Sequence, residues 1–291
     1  MASVTALVGL VAASVTFATT SVTNTFVAHA SHATFTKAIG LASTAKARVV
    51  RVTGEDFRFD APDIVPAGLT EFRFLNKGPA LHHLAILKLA GGKTVEDLRA
   101  ALANPGPPPA WVKELGGPNA PAPGLESNAT LMLEPGNYVL ICFVDIGGPP
   151  HFAKGMLRPL RVVPAKGASA ARPRADVTMK LVDYNYELSS PIRAGTRTIR
   201  VQNVGKQHHE VELVQLAPNA TVADFMKWME KMEGPPPGKP LGGVAGMEPG
   251  MSEYFTTDFT PGNYALICFL PDTNDGKPHF VHGMIQEITV K

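Results

Sequence analysis

The chain has 291 residues, 45% of them hydrophobic and 18% charged, which is enough to bury two cores of ordinary size. A formal net charge of +2 with no Lys/Arg run excludes the phosphate-tracking stripe of a nucleic-acid binder. Two cysteines cannot build a disulfide framework, and the plentiful Gly and Pro fall between apolar runs, as turns do.

In chain order, the first element is an apolar run, "TALVGLVAASVTFA", too short to span a bilayer comfortably. The small-residue stretches "VAHASHA" and "LASTAKA" follow it, as a cleavage site requires. Residues 1–47 are therefore expected to be a signal peptide and disordered segment, with a periplasmic or extracellular destination. No Lys or Arg precedes the apolar run, so an uncleaved membrane anchor is the other reading.

The remainder is a duplication with a period of about 127 residues. "EDFRFDAPDIVPAGLTEFRFLNKGPALHHLAIL" from Glu55 answers "VDYNYELSSPIRAGTRTIRVQNVGKQHHEVEL" from Val182, and "EPGNYVLICF" answers "TPGNYALICF". Domain one is expected over 48–164 and domain two over 176–291, with "PAKGASAARPRAD" supplying a linker over 165–175.

Within each copy the signal is mostly strand. "TRTIRVQNVG" alternates apolar and polar residues, as a half-buried strand does, and "HHEVEL" sets Val211 and Leu213 on one face, Glu210 and Glu212 on the other. "NYVLICFV" and "NYALICFL" are continuous apolar runs, fitting strands buried on both faces. Thr94 with Asp97 and Thr221 with Asp224 resemble capping pairs, so one helix is expected in each copy. In the second helix Phe225, Trp228, Met229 and Met232 form an i, i+3, i+4, i+7 stripe that reads as core packing rather than a Met-rich metal face. "GPPP" at Gly106–Pro109 and Gly234–Pro237 reads as a helix stop and rigid loop. The pattern predicts an all-β sandwich in each copy, with one helix inserted in a loop.

The chemistry-bearing residues repeat as well. Cys142 is followed by His151 and Met156, and Cys268 by His279 and Met284. Upstream, each copy carries a His pair at a strand start, His82-His83 and His208-His209. His209 shares parity with Val211 and Leu213, which points it inward. The repeat alignment then selects His83, although Leu84 and Ile86 would serve as a core face equally well. Each copy thus offers two imidazoles, a thiolate and a thioether, the set that suits copper cycling between two oxidation states. Zinc prefers more thiolate or carboxylate and rarely takes a thioether. Histidine and cysteine are almost confined to these clusters, their neighbours and the leader.

These residues resemble the cupredoxin family, twice over. "FRFDAPDIVPAGLTEFRFLNKG" before His82-His83, "PGNYVLICF" with Cys142, His151 and Met156, and "PGNYALICF" with Cys268, His279 and Met284 carry the resemblance, which covers nearly everything after residue 48. It implies two Greek-key β-sandwiches, each with copper near one end, held by His83, Cys142, His151 and Met156 and by His209, Cys268, His279 and Met284. The Cys-x8-His-x4-Met spacing of copy one resembles the type-1 site of two-domain nitrite reductases; copy two is Cys-x10-His-x4-Met. Both loops exceed those of small blue copper proteins.

The reading this favours is an exported one-electron carrier with up to two copper ions, or a copper store, acting on a redox partner protein or a copper donor or acceptor. The imidazole edges of His151 and His279 are its expected electron ports. Nitrite reductases and multicopper oxidases wire a catalytic copper through a His beside the Cys. Here Ile141 and Phe143, and Ile267 and Phe269, flank the cysteines. Only His82, His208 and His282 remain for a catalytic copper, so catalysis of that kind is disfavoured. The third reading is a metal-free binding or structural module. A Cys142–Cys268 disulfide would need improbable docking of two mid-strand residues.

Overall fold

The computed structural model describes residues 46–103, 108–146, 148–167 and 170–291, which belong to one compact unit. The leader lies outside the described residues except for its last two positions, and so does part of the first GPPP segment.

The first copy runs β1 (Arg48–Glu55), β2 (Arg58–Asp60), β3 (Ile64–Pro66), β4 (Gly68–Asn76), β5 (Ala85–Leu89), α1 (Val95–Leu102), β6 (Val112–Gly116), β7 (Glu126–Leu133), β8 (Gly136–Ile141) and β9 (Leu157–Val163). The second runs β10 (Val177–Val182), β11 (Asn185–Leu188), β12 (Gly195–Asn203), β13 (His209–Leu216), α2 (Val222–Lys231), β14 (Gly238–Met247), β15 (Ser252–Phe259), β16 (Gly262–Ile267) and β17 (Ile285–Val290). Alternation is visible where it was expected: Phe72 and Phe74 of β4 point into the first sandwich core, and Ile199 and Val201 of β12 into the second.

The apolar runs before the cysteines are buried on both faces. Tyr138 and Leu140 of β8 enter the sandwich core, while Val139 and Ile141 pack under α1 with Leu98. Tyr264 and Leu266 of β16 do the same, with Ala265 and Ile267 beneath Phe225 of α2. Both helices open with a capping box, in which the Thr94 or Thr221 hydroxyl accepts from the Asp97 or Asp224 N–H and the carboxylate returns the bond. Phe225, Trp228 and Met229 pack inward as the stripe predicts, joined by Met226. Met232 departs from it. It is the helix C-cap at φ 53°, and 37% exposed.

The two copies share their sheets. One sheet has the order β11-β10-β12-β15-β7-β4-β1-β2, the other β17-β16-β13-β14-β6-β5-β8-β9-β3. The crossings between copies are β7 with β15, at Thr130 and Tyr254, and β6 with β14, at Leu115 and Met247. Gly117 and Gly243 sit at this junction with φ of 120° and 123°; a Cβ on either would overlap a backbone carbonyl, Leu84 or Val211.

The junction also buries acid. Glu210 and Glu212, placed by strand parity on a polar face, are only 4% and 5% exposed, because that face meets the first copy rather than water. Glu212 Oε2 accepts the Ala120 N–H at 3.1 Å, and Glu253 Oε2 accepts the Gly117 N–H at 3.1 Å. Burial pushes both carboxyls well above the ordinary glutamate value and so favours the protonated acid. Each leaves its Oε1 without a partner, the natural place for that proton.

A raised folded-state value has a definite sign. Above about pH 4.5 the unfolded chain ionises its glutamates while the folded chain keeps the protons, so stability falls as pH rises through that window. Glu253→Gln removes one such group and keeps an acceptor for Gly117. Urea unfolding of the variant from pH 5 to 8 is expected to show a shallower loss of stability than the parent. An unchanged slope would place the proton elsewhere.

Candidate metal centres

Each centre is assembled by three short devices that recur in both copies. The first is the turn after β4 and β12. Asn76 Nδ2 donates to the Ala80 and Pro121 carbonyls at 2.9 and 3.0 Å, and its Oδ1 accepts the Gly78 N–H at 3.0 Å. Asn203 does the same with Gln207, Met247 and Gly205. The turn delivers His82 in one copy and His209 in the other.

The second device is a carboxylate from the turn joining the first two strands of each copy. Asp56 Oδ1 lies 2.5 Å from His82 Nε2, and Asp183 Oδ1 lies 2.7 Å from His209 Nε2. The imidazole donates through Nε2–H, so its Nδ1 lone pair faces inward. Gly78 and Gly205 permit this, since a Cβ on either would overlap the carboxylate and the ring. Burial works against the Asp183 charge, yet the bonds from His209 and the Lys206 N–H hold the carboxyl below its ordinary value.

The third device is the loop after β8 and β16. Cys142 N–H donates to the Met156 carbonyl at 3.1 Å, Phe152 N–H to the Cys142 carbonyl at 2.9 Å, and Met156 N–H to the His151 carbonyl at 3.0 Å. The second loop repeats these bonds with Cys268, Met284, Phe280 and His279. Each closes in a 3₁₀ turn, His151–Lys154 or His279–His282, ended by a left-handed glycine, Gly155 or Gly283.

The result is two clusters of three buried donors, His82, Cys142 and His151, and His209, Cys268 and His279, with all donor atoms of a cluster within 4.8 Å of one another. His82 Nδ1 and His151 Nδ1 are 2.9 Å apart, and Cys142 Sγ is 3.6 Å from His151 Nδ1. The matching distances in copy two are 3.1 and 3.4 Å. Met156 and Met284 are fully buried in the same sandwich cores as the cysteines.

Electrostatics favour the neutral forms of His151, His279 and both cysteines. Burial, reinforced by the neighbouring imidazole, lowers His151 and His279 to about 4. Burial raises the Cys142 thiol to about 12 and the Cys268 thiol further; the N–H groups of His83 and Val144 on Cys142, and of Glu210 and Leu270 on Cys268, oppose that rise. Both cysteines are free thiols, so no disulfide joins the copies.

Of the eight expected site residues, Cys142, His151, His209, Cys268 and His279 are donors of these clusters, and Met156 and Met284 are buried in the same cores. The exception is His83, and the reading is corrected: His82 joins Cys142 and His151. His83 turns the other way and accepts the Phe143 N–H through Nε2 at 2.9 Å. Parity could not decide, because β5 is buried on both faces. Leu84 and Ile86 share the sandwich core, while Ala85 and Leu87 pack under α1. The decisive signal was spacing, since both ligand-side histidines stand six residues after the asparagine of an Asn-x-Gly turn, Asn76 to His82 and Asn203 to His209. Asp56 and Asp183 were also missed, although "DFRF" and "DYNY" align in the repeat.

The remaining described histidines, His208 and His282, are paired with carboxylates. His208 Nδ1 lies 3.2 Å from Glu114 Oε2, and His282 Nε2 lies 3.1 Å from Asp275 Oδ1. The expected ports are not open rings. His279 is fully buried beneath Tyr184, its Nε2 makes no hydrogen bond and lies 3.9 Å from Asp272 Oδ2, and the Tyr184 hydroxyl is tied to Asp272 at 2.5 Å. His151 is 3% exposed and borders a groove of about 280 Å³ whose walls include Pro79, Val144, Ile146 and Trp228.

No family model and no curated protein matches the chain. Solved structures similar to it include reduced auracyanin from Roseiflexus castenholzii, at 26% identity over 42% of this chain and 99% of that one, with a TM-score of 0.29. Auracyanin A, a "blue" copper protein from Chloroflexus aurantiacus, is 22% identical over 40% of this chain and 100% of that one, with a TM-score of 0.30. The copper nitrite reductase of Nitrosomonas europaea is 14% identical over 84% of this chain and 94% of that one, with a TM-score of 0.26.

The buried, protonated thiols make a direct prediction. In metal-free protein at pH 8, iodoacetamide is expected to modify Cys142 and Cys268 far more slowly than in the same protein unfolded in urea. Modification of the native protein at the unfolded rate would show that the sulfurs are not enclosed.

Proposed function

We propose that the protein is an exported copper protein that carries single electrons, with one ion in each copy. The observation that carries this reading is the pair of three-donor clusters, each aiming two Nδ1 atoms and one Sγ at a common point. Metal bonds of about 2.0–2.3 Å to nitrogen and sulfur fit a triangle with edges of this size. Two imidazoles, one thiolate and a buried thioether within the same core are a donor set for copper rather than zinc. His82, Cys142 and His151 would hold the ion in copy one, with the buried Met156 thioether as a further donor. His209, Cys268 and His279, with Met284, would do so in copy two.

Copper supplies a one-electron couple when bound. The chain's own residues do the rest. Asp56 and Asp183 hold the Nε2 protons and orient the Nδ1 lone pairs, and the N–H groups aimed at each sulfur favour its negative charge. Loop hydrogen bonds fix the Cys, His and Met backbones relative to one another, which limits movement between oxidation states. Apolar neighbours keep water from the sulfur.

A catalytic second copper of the nitrite reductase type has no support among the described residues. The cysteines are flanked by Ile and Phe, His82 belongs to a cluster, and His83, His208 and His282 are engaged with the Phe143 N–H, Glu114 and Asp275. The export reading draws support from the leader sequence; among the described residues no helix is long and apolar enough to cross a membrane.

Copper titration of the leaderless protein tests the proposal. Two equivalents are expected, with an intense visible thiolate-to-copper band and release of the thiol protons. Cys142→Ser and Cys268→Ser should each remove one equivalent. His82→Ala should abolish the band of copy one, whereas His83→Ala should leave its intensity. Absence of copper uptake would leave the metal-free module.

A further inference from the structure

The two centres are not insulated from each other. On the first side, the residue after the ligand-side histidine is His83, whose backbone N–H is directed at Cys142 Sγ and whose ring accepts the Phe143 N–H at 2.9 Å. On the second side the same position is Glu210. Its backbone N–H is directed at Cys268 Sγ, and its Oε1 accepts the Phe269 N–H at 2.9 Å. These two side chains, different in type but equal in place, reach toward the junction from opposite copies.

Asn119 stands between them. Its Nδ2 donates to Glu210 Oε2 at 3.3 Å and to the Val211 and Val244 carbonyls at 3.3 and 3.4 Å, and its side chain faces the His83 ring in the same cavity. Asn119 is 3% exposed, and its backbone is pinned by the Ser127 hydroxyl, which donates to its carbonyl at 2.8 Å. The three residues line one cavity of about 280 Å³ at the junction, walled also by Phe143, Phe269 and Val214. From Cys142 the route runs through the Phe143 N–H to the His83 ring, and from Cys268 through the Phe269 N–H to Glu210, with Asn119 between the two side chains. A second asymmetry gives that route a use: His151 borders an open groove, whereas His279 is sealed under Tyr184.

We propose that His83, Asn119 and Glu210 form a polar bridge that passes one electron between the two centres, so that the enclosed centre of copy two exchanges electrons by way of copy one. The proposal rests on the copper reading above. One electron leaves the centre at Cys142 and arrives at the centre at Cys268, or the reverse. No bond is made or broken and no proton moves. A one-electron reductant meeting the His151 edge supplies the charge. The three residues are positioning residues. Tunnelling decays more slowly along bonded and hydrogen-bonded atoms than across gaps, and linked polar groups in a dry site polarise one another.

The test uses the two-copper protein, reduced in part by a pulse of a viologen radical while the visible bands are followed. The expected result is a relaxation phase whose rate does not depend on protein concentration and which Cys268→Ser abolishes. Asn119→Leu should slow this phase several-fold with both bands unchanged. Isosteric Glu210→Gln, which sets an amide donor against one of its two donor neighbours, should do the same. In copper-free protein, Asn119→Leu should also speed hydrogen exchange at the Phe269 amide, which belongs to the other copy. An unchanged phase in both variants, no such phase in the parent, or unaltered Phe269 exchange would overturn the bridge while leaving the copper reading intact. A protein that takes up no copper overturns that reading, and the bridge with it.

Discussion

A carboxylate holding the far nitrogen of an imidazole is the contact on which the centres depend. Asp56 and Asp183 decide which tautomer His82 and His209 adopt, and so whether a lone pair or a proton faces the cysteine. The surrounding features serve that contact: the asparagine turn that sets the ring's height, and the glycine that leaves room for the carboxylate. Burial of both rings removes water as an alternative partner.

Around this shared frame the copies diverge at two places. One is the position after the ligand-side histidine, where an imidazole in copy one and a carboxyl in copy two perform the same backbone-binding task. The other is the Cys-to-His loop. Its added length in copy two carries Asp272, which anchors Tyr184 over His279. In copy one Phe57 lies against His151 instead, at 4.8 Å between ring centroids, and has no hydroxyl to anchor. A duplicated fold thus yields one centre whose histidine borders a groove and one whose histidine lies beneath a tyrosine, without a change in donor type.

The duplication, the sandwich class, both helices with their caps and the grouping of Cys142, His151, His209, Cys268 and His279 were legible in the sequence, because each is written as local periodicity or as a repeated motif. The choice between His82 and His83 was not, since alternation carries no information in a strand buried on both faces. Glu210 and Glu212 misled for a related reason. Their alternation marked a face correctly, but sequence says nothing of what covers a face, and here the other copy does. Met232 departed from its stripe because the helix ends there.

The continuity of both sheets through the junction has a mechanical consequence. A chain severed in the linker would leave β6 and β7 of one half, and β14 and β15 of the other, as open edges bearing buried carboxyls and a stranded Asn119. Open edges seek partners. Such halves would recombine with one another or exchange strands between molecules, so the fold is a candidate for swapped assemblies whenever that connection is cut or strained.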